Sequence, residues 1–221
     1  MTQLLDGCMF CHRTESVIAG GTDFFVQLDD APIVEGHALV MPRAHYPSIA
    51  DLPARLRAQL DGWCAALKAV YLEVYGAFAL FEHGRTGHCL IRTSQERICH
   101  HAHVHVLPLQ GDIVQQIQLG QRVHVSDWES IAELAEDIDG YLVAESISSG
   151  RVFFPVTSRL PPHHLRTLAA GLAGDGDLAD WERMLGTRRS RDLIASAERR
   201  LADHARDLPT LLTESMARGG A

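Results

Sequence analysis

The sequence is poor in positive charge. Its 221 residues carry 20 lysines and arginines against 28 aspartates and glutamates, which gives a formal net charge of −8. This balance argues against a nucleic-acid duplex or an anionic membrane surface as the main partner. A small phosphate ligand remains compatible with it, because such a ligand needs only a local group of donors. We therefore expect a small-molecule partner, and neither nucleic acid nor membrane.

Long apolar runs and secretory features are also lacking. No stretch approaches the ~18 apolar residues of a membrane span. The first residues show no basic region followed by an apolar one, so we expect no signal peptide. The five cysteines are an odd number in such a chain, and reduced or metal-bound thiols explain them better than a disulfide framework. We expect a cytoplasmic protein.

Hydrophobic periodicity predicts an α+β fold. The predicted elements are strands at 24–30, 37–43 and 77–84, a helix at 49–75 that stops at Gly76, a helix at 128–138, and a hairpin with Gly150 in its turn. The order strand, strand, helix, strand, strand has no repeated helical crossovers, so it favours an antiparallel sheet. We divide the chain into a catalytic domain at 1–110 and an extension at 111–221 that is mainly helical.

The stretch CHHAHVHVLP at 99–108 has the highest density of side chains that could act in catalysis or bind a metal. His101, His103 and His105 alternate with small or branched apolar residues, which is the period of a β-strand. One face of this strand would carry three imidazoles, and the other would suit a core. Solvent-exposed histidines do not require such an apolar opposite face, so the pattern favours a functional site.

A metal site accounts for only part of this pattern. Two histidines at i and i+2 can bind one ion. At about 3.3 Å per residue, however, His101 and His105 lie about 13 Å apart, too far for one ion to hold all three rings. At least one imidazole needs another role, and a central one suits a nucleophile.

Two further segments accompany the three histidines, namely GHALVMPRAH at 36–45 and CMFC at 8–11. Together the three segments resemble the histidine triad (HIT) superfamily of nucleotide hydrolases and transferases, and CMFC is similar to the start of its zinc-bearing bacterial members. The resemblance covers residues 8–110. It implies a HIT-like antiparallel sheet with flanking helices, here followed by the C-terminal extension.

The resemblance also implies roles for individual residues. His103 would be the nucleophile that attacks the α-phosphorus of a nucleotide, and His105 would contact the phosphate or the leaving group. His37 would help to orient the triad. Asp29 would bind the ribose hydroxyls, with Asp30 as a competing candidate.

A metal site follows from the resemblance as well. Structural Zn²⁺ would be held by Cys8, Cys11, His45 and His101, and a Cys₂His₂ site of this kind has no open position for catalysis. The chemistry itself would need no metal, although Mg²⁺ could accompany a polyphosphate substrate. Many relatives dimerise, so we expect a homodimer.

The chain departs from the family pattern before the triad. Ile98 occupies a place where many members have a small hydroxyl residue, and the loop before the triad is longer than usual. Phosphate contacts are then expected from backbone amides near Gly84 or Gly87, or from a side chain such as His83, Arg92, Ser94 or Gln95. Glu82 would repel a phosphate unless it were neutral or bound to a cation. Arg166 could reach an anionic substrate, but we expect it to be a solvated helix residue.

These expectations define one leading function and two alternatives. The leading one is hydrolysis or nucleotidyl transfer at the α-phosphate of a dinucleoside polyphosphate, a phosphoramidate or a nucleotidylated small molecule, through a nucleotidyl-histidine. The first alternative is a zinc-dependent metallohydrolase that uses the histidine cluster. The second is a nucleotide-binding protein without catalysis.

Overall fold

The structure is a computed structural model, and it describes residues 16–85, 101–161 and 163–219 together with residues 4, 8, 10 and 11. Within residues 206–219, a side-chain environment is described only for Leu208. Among the described residues, no helix combines the length and the apolar character that crossing a membrane requires.

The described residues form one sheet with flanking helices. The strands are β1 (Val17–Gly20), β2 (Phe24–Leu28), β3 (Ala38–Pro42), β4 (Ala79–Gly84), β5 (Val104–Leu107), β6 (Val123–His124), β7 (Tyr141–Ser146) and β8 (Gly150–Pro155). The helices are α1 (Ala54–Tyr75), α2 (Ile113–Gln116), α3 (Trp128–Leu134), α4 (His164–Leu172), α5 (Trp181–Met184) and α6 (Arg188–Gly219). Two short 3-10 turns cover Ile49–Asp51 and Gly176–Ala179.

The sheet has the strand order β1-β2-β3-β5-β4-β7-β8-β6, and neighbouring strands are antiparallel. The predicted α+β class is therefore confirmed. Because β7 pairs with β4 along its whole length, residues from 111–221 continue the sheet that the first half begins. The predicted hairpin corresponds to β7 and β8, with Gly150 at positive φ.

Helix α1 begins later than the periodicity predicts. Leu52 is extended and Pro53 precedes the first helical residue, because a proline disfavours the helical conformation in the residue before it. The residues before Leu52 form the first 3-10 turn instead. The predicted stop at Gly76 is confirmed, since its left-handed conformation lets its N–H donate to the carbonyl of Leu72.

The two faces of the sheet have different coverings. The alternate residues Ala102, Val104 and Val106 point into the larger core with α1, α3 and α6. On the other face, His105 lies in register with Leu39 of β3 and Phe81 of β4. A second core, with side chains from α2, α4 and α5, covers part of that face. The alternation in the sequence therefore separates core from histidines as predicted.

Glu82 lies on the face away from the histidines. It is buried, and its Oε1 accepts hydrogen bonds from the Ile49 N–H (2.8 Å) and the Tyr141 hydroxyl (3.1 Å). Burial raises the pKa of Glu82 to about 8. Glu82 is thus a neutral acid at pH 7 that ties β4 to the first 3-10 turn. The anticipated repulsion of a phosphate does not arise, since β4 alternation directs its neighbour His83 to the other face.

The raised pKa of Glu82 predicts a specific pH dependence of stability. Between about pH 4.5 and pH 8 the unfolded carboxyl loses its proton while the folded one keeps it, so the contribution of this group to stability falls with rising pH. The slope from this group is at most about 1.4 kcal/mol per pH unit. Glu82→Gln stays neutral and should lose this decline. Urea unfolding of both proteins from pH 5 to pH 8.5 measures the difference.

The exposed residue Glu129 provides the control, since Glu129→Gln removes a carboxylate without a buried partner. Its pH profile should run parallel to that of the unsubstituted protein. A Glu82→Gln profile that also runs parallel would contradict the buried neutral acid.

Candidate functional site

The histidine site lies at the N-terminal end of β5. His101 and His103 come just before the strand, and His105 is within it. The Ala102 N–H donates to the carbonyl of Tyr46, 2.7 Å away, which ties this segment to the chain after β3. His101 and His105 are buried and His103 is half-buried.

A chain of hydrogen bonds begins at a backbone donor. The Ile33 N–H donates to Nδ1 of His37 over 3.1 Å, so this nitrogen carries no proton. The single proton of the neutral ring is then on Nε2, which lies 2.9 Å from Nδ1 of His105. His37 therefore donates to His105.

The same reasoning extends to the next ring. Because Nδ1 of His105 accepts, its proton is on Nε2, which lies 3.1 Å from Nε2 of His103. His103 in turn has its proton on Nδ1, which donates to the His101 carbonyl over 2.8 Å. We call His37, His105 and His103 the histidine relay. Its last atom, Nε2 of His103, carries no proton, and its lone pair accepts the hydrogen bond from Nε2 of His105.

The surroundings keep the relay neutral. Burial lowers the pKa of His37 to about 3 and that of His105 well below its ordinary value, and it also lowers the pKa of His103. Neighbouring positive charge, including that of Arg166, acts in the same direction on all three. At pH 7 each ring holds one proton, as the hydrogen bonds require.

Asp29 lies beside the relay with both oxygens engaged. Oδ1 accepts from the Ala31 N–H (2.9 Å), and Oδ2 accepts from Nη1 of Arg166 (2.9 Å). Oδ2 is also 3.4 Å from Nε2 of His37 and 3.9 Å from Nδ1 of His105. Burial opposes ionisation, but His37, Arg166 and the Ala31 N–H lower the pKa of Asp29 to about 2. The ribose contact expected of Asp29 stays a prediction, and it would share this carboxylate with Arg166.

Arg166 was expected in solvent, and the structure contradicts this. The residue is only 5% exposed. Besides Asp29, it donates to the carbonyls of Ala31 (2.7 Å) and Ala179 (3.2 Å). The reason is the packing of α4, whose neighbouring residue Leu165 is fully buried in the second core. No local sequence pattern reveals this contact, since Asp29 precedes Arg166 by 137 positions.

His83 is connected to the same helix. Its Nε2 accepts from the N–H of Leu165 over 3.1 Å, and burial lowers its pKa to about 3. On the same side of β4, Phe81 stacks on His105 with ring centroids 4.4 Å apart. His83 thus lies on the histidine face, and its phosphate contact stays a prediction. The other predicted phosphate residues, Arg92, Ser94 and Gln95, lie outside the described residues.

Cys8, Cys11, His45 and His101 form a group whose ligand atoms all lie within 4.8 Å of one another. Nδ1 of His101 is 3.6 Å from Sγ of Cys8 and 3.5 Å from Sγ of Cys11, and Nδ1 of His45 is also 3.5 Å from Sγ of Cys11. Tetrahedral bonds of about 2.3 Å to sulfur and 2.0 Å to nitrogen place these atoms about 3.5 Å apart. The spacing therefore fits a four-coordinate metal ion.

Second-sphere contacts support this arrangement. Nε2 of His101 donates to the carbonyl of Pro42 over 2.8 Å, which leaves Nδ1 as the free ligand atom. Cys8 is disulfide-bonded in this structure, contrary to the expectation of reduced thiols. It would have to be reduced before its sulfur could bind a metal as a thiolate.

A second group of possible ligands is Asp29, His37 and His105. Its donor atoms already serve the relay, and the Arg166 guanidinium lies 2.9 Å from Oδ2 of Asp29. A cation here would be repelled by Arg166 and would break the hydrogen bonds described above. His103 belongs to neither group of possible ligands.

The four-residue metal group predicts the metal content of the protein. Protein purified under reducing conditions should contain one ion per chain, measured by elemental mass spectrometry. Cys11→Ser should lose it, because a hydroxyl is a weak ligand, and its Tm should fall by at least about 5 °C.

The matched control is Cys64→Ala, which removes a thiol in the core outside this group. It should keep the ion. Full metal content in Cys11→Ser would contradict the four-residue site.

Comparison with known protein families identifies one family model whose match includes most of the site. A family model described as "Protein similar to CwfJ C-terminal" matches residues 1–122 of the 221. This range contains the relay, Asp29 and all four residues of the metal group, whereas Arg166 lies outside it. No match was found among curated proteins.

Three solved structures are similar to parts of the chain. A hypothetical histidine triad nucleotide-binding protein of Sulfolobus tokodaii is 24% identical over 48% of this chain and 71% of its own, with a TM-score of 0.35. The Streptococcus mutans protein SMU.412c is 23% identical over 62% and 86%, with a TM-score of 0.38. A Hit-like protein of Bartonella henselae, described as involved in cell-cycle regulation, is 17% identical over 55% and 84%, with a TM-score of 0.29.

Proposed function

The chain belongs to the family of proteins similar to the CwfJ C-terminal region, which is related to the HIT-like fold, and on that premise we propose that it is a nucleotide-binding enzyme. Its reaction is displacement at the α-phosphate of a nucleotide conjugate, with a nucleotidyl-histidine as intermediate. The observation that carries the proposal is the histidine relay, which ends in the unprotonated Nε2 of His103.

In the first step, Nε2 of His103 attacks the α-phosphorus with its lone pair. A phosphorus–nitrogen bond forms, and the bond from phosphorus to the leaving group breaks, with the electron pair going to the leaving group. The Nε2–H of His105, which otherwise donates to Nε2 of His103, turns to the leaving atom and donates a hydrogen bond to it. The leaving group takes any proton that it needs from water. The Nδ1–H of His103 donates to the His101 carbonyl, which steadies the ring as it becomes positively charged.

In the second step, water or another nucleotide acceptor attacks the same phosphorus. The phosphorus–nitrogen bond breaks, and its electron pair returns to Nε2 of His103. The acceptor loses its proton to water, and the Nε2–H of His105 returns to Nε2 of His103. Covalent catalysis divides one difficult displacement into two easier ones. A donor held at the developing charge lowers the barrier of each step.

We assign the metal group to structural Zn²⁺. Two cysteine sulfurs and two histidine nitrogens at these separations are a donor set that zinc prefers. The ion would fasten the N-terminal CMFC segment to His45 and to His101 at the start of the triad. Phe10, between the two cysteines, has its ring 5.5 Å from that of His103, so the ion would also help to shape the site around the nucleophile.

Trapping the intermediate tests the proposed function. The full-length protein is mixed with adenosine 5′-phosphoramidate and with diadenosine tetraphosphate, quenched within seconds and measured by intact-mass spectrometry. The unsubstituted protein should gain the mass of one nucleotidyl group. His103→Ala should gain none, because the attacking nitrogen is gone. A His105→Asn protein should form the adduct more slowly, since it lacks the imidazole N–H that donates to the leaving atom in the first step.

Two results would contradict this function, and each points to a different alternative. Nucleotide binding by calorimetry with no adduct on any protein would indicate a binding protein without catalysis. Turnover that survives His103→Ala and disappears with metal removal would indicate a metallohydrolase. Among the described residues, His103 belongs to neither group of possible metal ligands, which does not favour the latter. The homodimer and the cytoplasmic location stay predictions.

A further inference from the structure

The C-terminal extension contributes a buried arginine to the site. Arg166 lies on α4, beyond the residues that the family model matches. Its guanidinium donates to Oδ2 of Asp29 and to two backbone carbonyls, those of Ala31 and Ala179. Three hydrogen bonds at 2.7–3.2 Å fix the position of the charge as well as that of the side chain.

The partner of this arginine touches the relay. Oδ2 of Asp29 accepts from Arg166 and is also the oxygen nearest to His37 and His105, at 3.4 Å and 3.9 Å. A buried carboxylate without Arg166 would attract a proton onto the nearest imidazoles. Among the residues that the structure describes, the charged or titratable groups facing His37 and His105 are Asp29, Arg166, His103 and, for His105, His83.

An extra proton would disrupt the relay. On Nδ1 of His37 it would face the Ile33 N–H, and on Nδ1 of His105 it would face the Nε2–H of His37. In both places two N–H groups would point at each other, and neither could form a hydrogen bond. Compensation of the negative charge of Asp29 therefore adds to burial in keeping each ring of the relay at one proton.

We infer that Arg166 is a positioning residue, which compensates Asp29 and so holds His37 and His105 at one proton each; this inference rests on the proposed function of the same site. The extension thus completes a site whose other parts lie in the first 122 residues. Arg166 acts through Asp29 and does not itself contact the reacting atoms.

The test is a double-mutant cycle with Asp29→Asn, Arg166→Met and the combined variant, plus Arg166→Lys. The first readout needs no substrate: nitrogen NMR of the full-length protein at pH 7 reports the protonation of His37 and His105. Both should be neutral in the unsubstituted protein. In Arg166→Met the pair should gain a proton, and in the combined variant it should be neutral again, because charge and countercharge are removed together.

The second readout is the rate of adduct formation from adenosine 5′-phosphoramidate under single turnover. Arg166→Met should slow it at least about tenfold, with little change in the concentration for half-saturation. Arg166→Lys, which keeps the charge, should retain more activity than Arg166→Met, and so should the combined variant. Arg189→Met is the control, since it removes another arginine of the extension that pairs with an aspartate, Asp175, away from the site.

Specific results would overturn the inference. One is a relay that stays neutral in Arg166→Met, and another is a rate loss in the combined variant equal to the product of the two single losses. A rise in half-saturation alone would mean that Arg166 binds substrate directly. If Arg166→Met does not fold, the combined variant and Arg166→Lys still decide, with circular dichroism as the check. Absence of any adduct in the unsubstituted protein counts against the proposed function and leaves the NMR result intact.

Discussion

The hydrogen bond from the Ile33 N–H to Nδ1 of His37 is the constraint on which the site depends. A backbone amide can only donate, so it determines which nitrogen of His37 carries the proton. Because each N–H donor needs an acceptor, the proton position of one ring then determines that of the next, as far as His103. If this first bond were reversed or absent, Nε2 of His103 would no longer be fixed as an acceptor. The proton position of the proposed nucleophile is thus determined by a main-chain N–H group that lies three side chains away.

The fold supplies two further conditions for this relay. The antiparallel register of β3, β5 and β4 places Leu39, His105 and Phe81 in one row, so the histidine lies between apolar neighbours and is kept neutral. The opposite face of β5 is buried in the larger core, which prevents the strand from turning over. In the second core α4 packs over the histidine face, and this packing places Arg166 at the site. Desolvation and one buried ion pair act together on the protonation of the site.

Much of this arrangement is encoded locally. Alternation at period two predicts that His105 lies on the side of β5 opposite Val104 and Val106, and the structure confirms it. The predicted strand is too long, since His101 and His103 lie just before β5. Applied to β4, the same alternation predicts that Glu82 and His83 lie on opposite faces of the sheet. Helix α1 and the β7–β8 hairpin follow from periodicity and from Gly76 and Gly150. The metal group was inferred from resemblance, and the structure brings its four ligand atoms together.

What the sequence does not reveal is set by contacts distant along the chain. Arg166 lies 137 positions after Asp29, and its helix has an ordinary amphipathic pattern in which an arginine next to Leu165 would be expected in solvent. The direction of the relay is also hidden, because it depends on a backbone amide and not on a side chain. A buried arginine and a neutral buried acid, Glu82, both look like surface charges until the packing is known. Local patterns therefore identified the reactive groups, and tertiary structure determined their charge.

The central claim concerns one nitrogen atom, and nitrogen NMR of histidine in the full-length protein at pH 7 measures it directly. Nε2 of His103 should show the chemical shift of an unprotonated imidazole nitrogen, with the proton on Nδ1. A His103 signal with the proton on Nε2, or with protons on both nitrogens, would contradict the account.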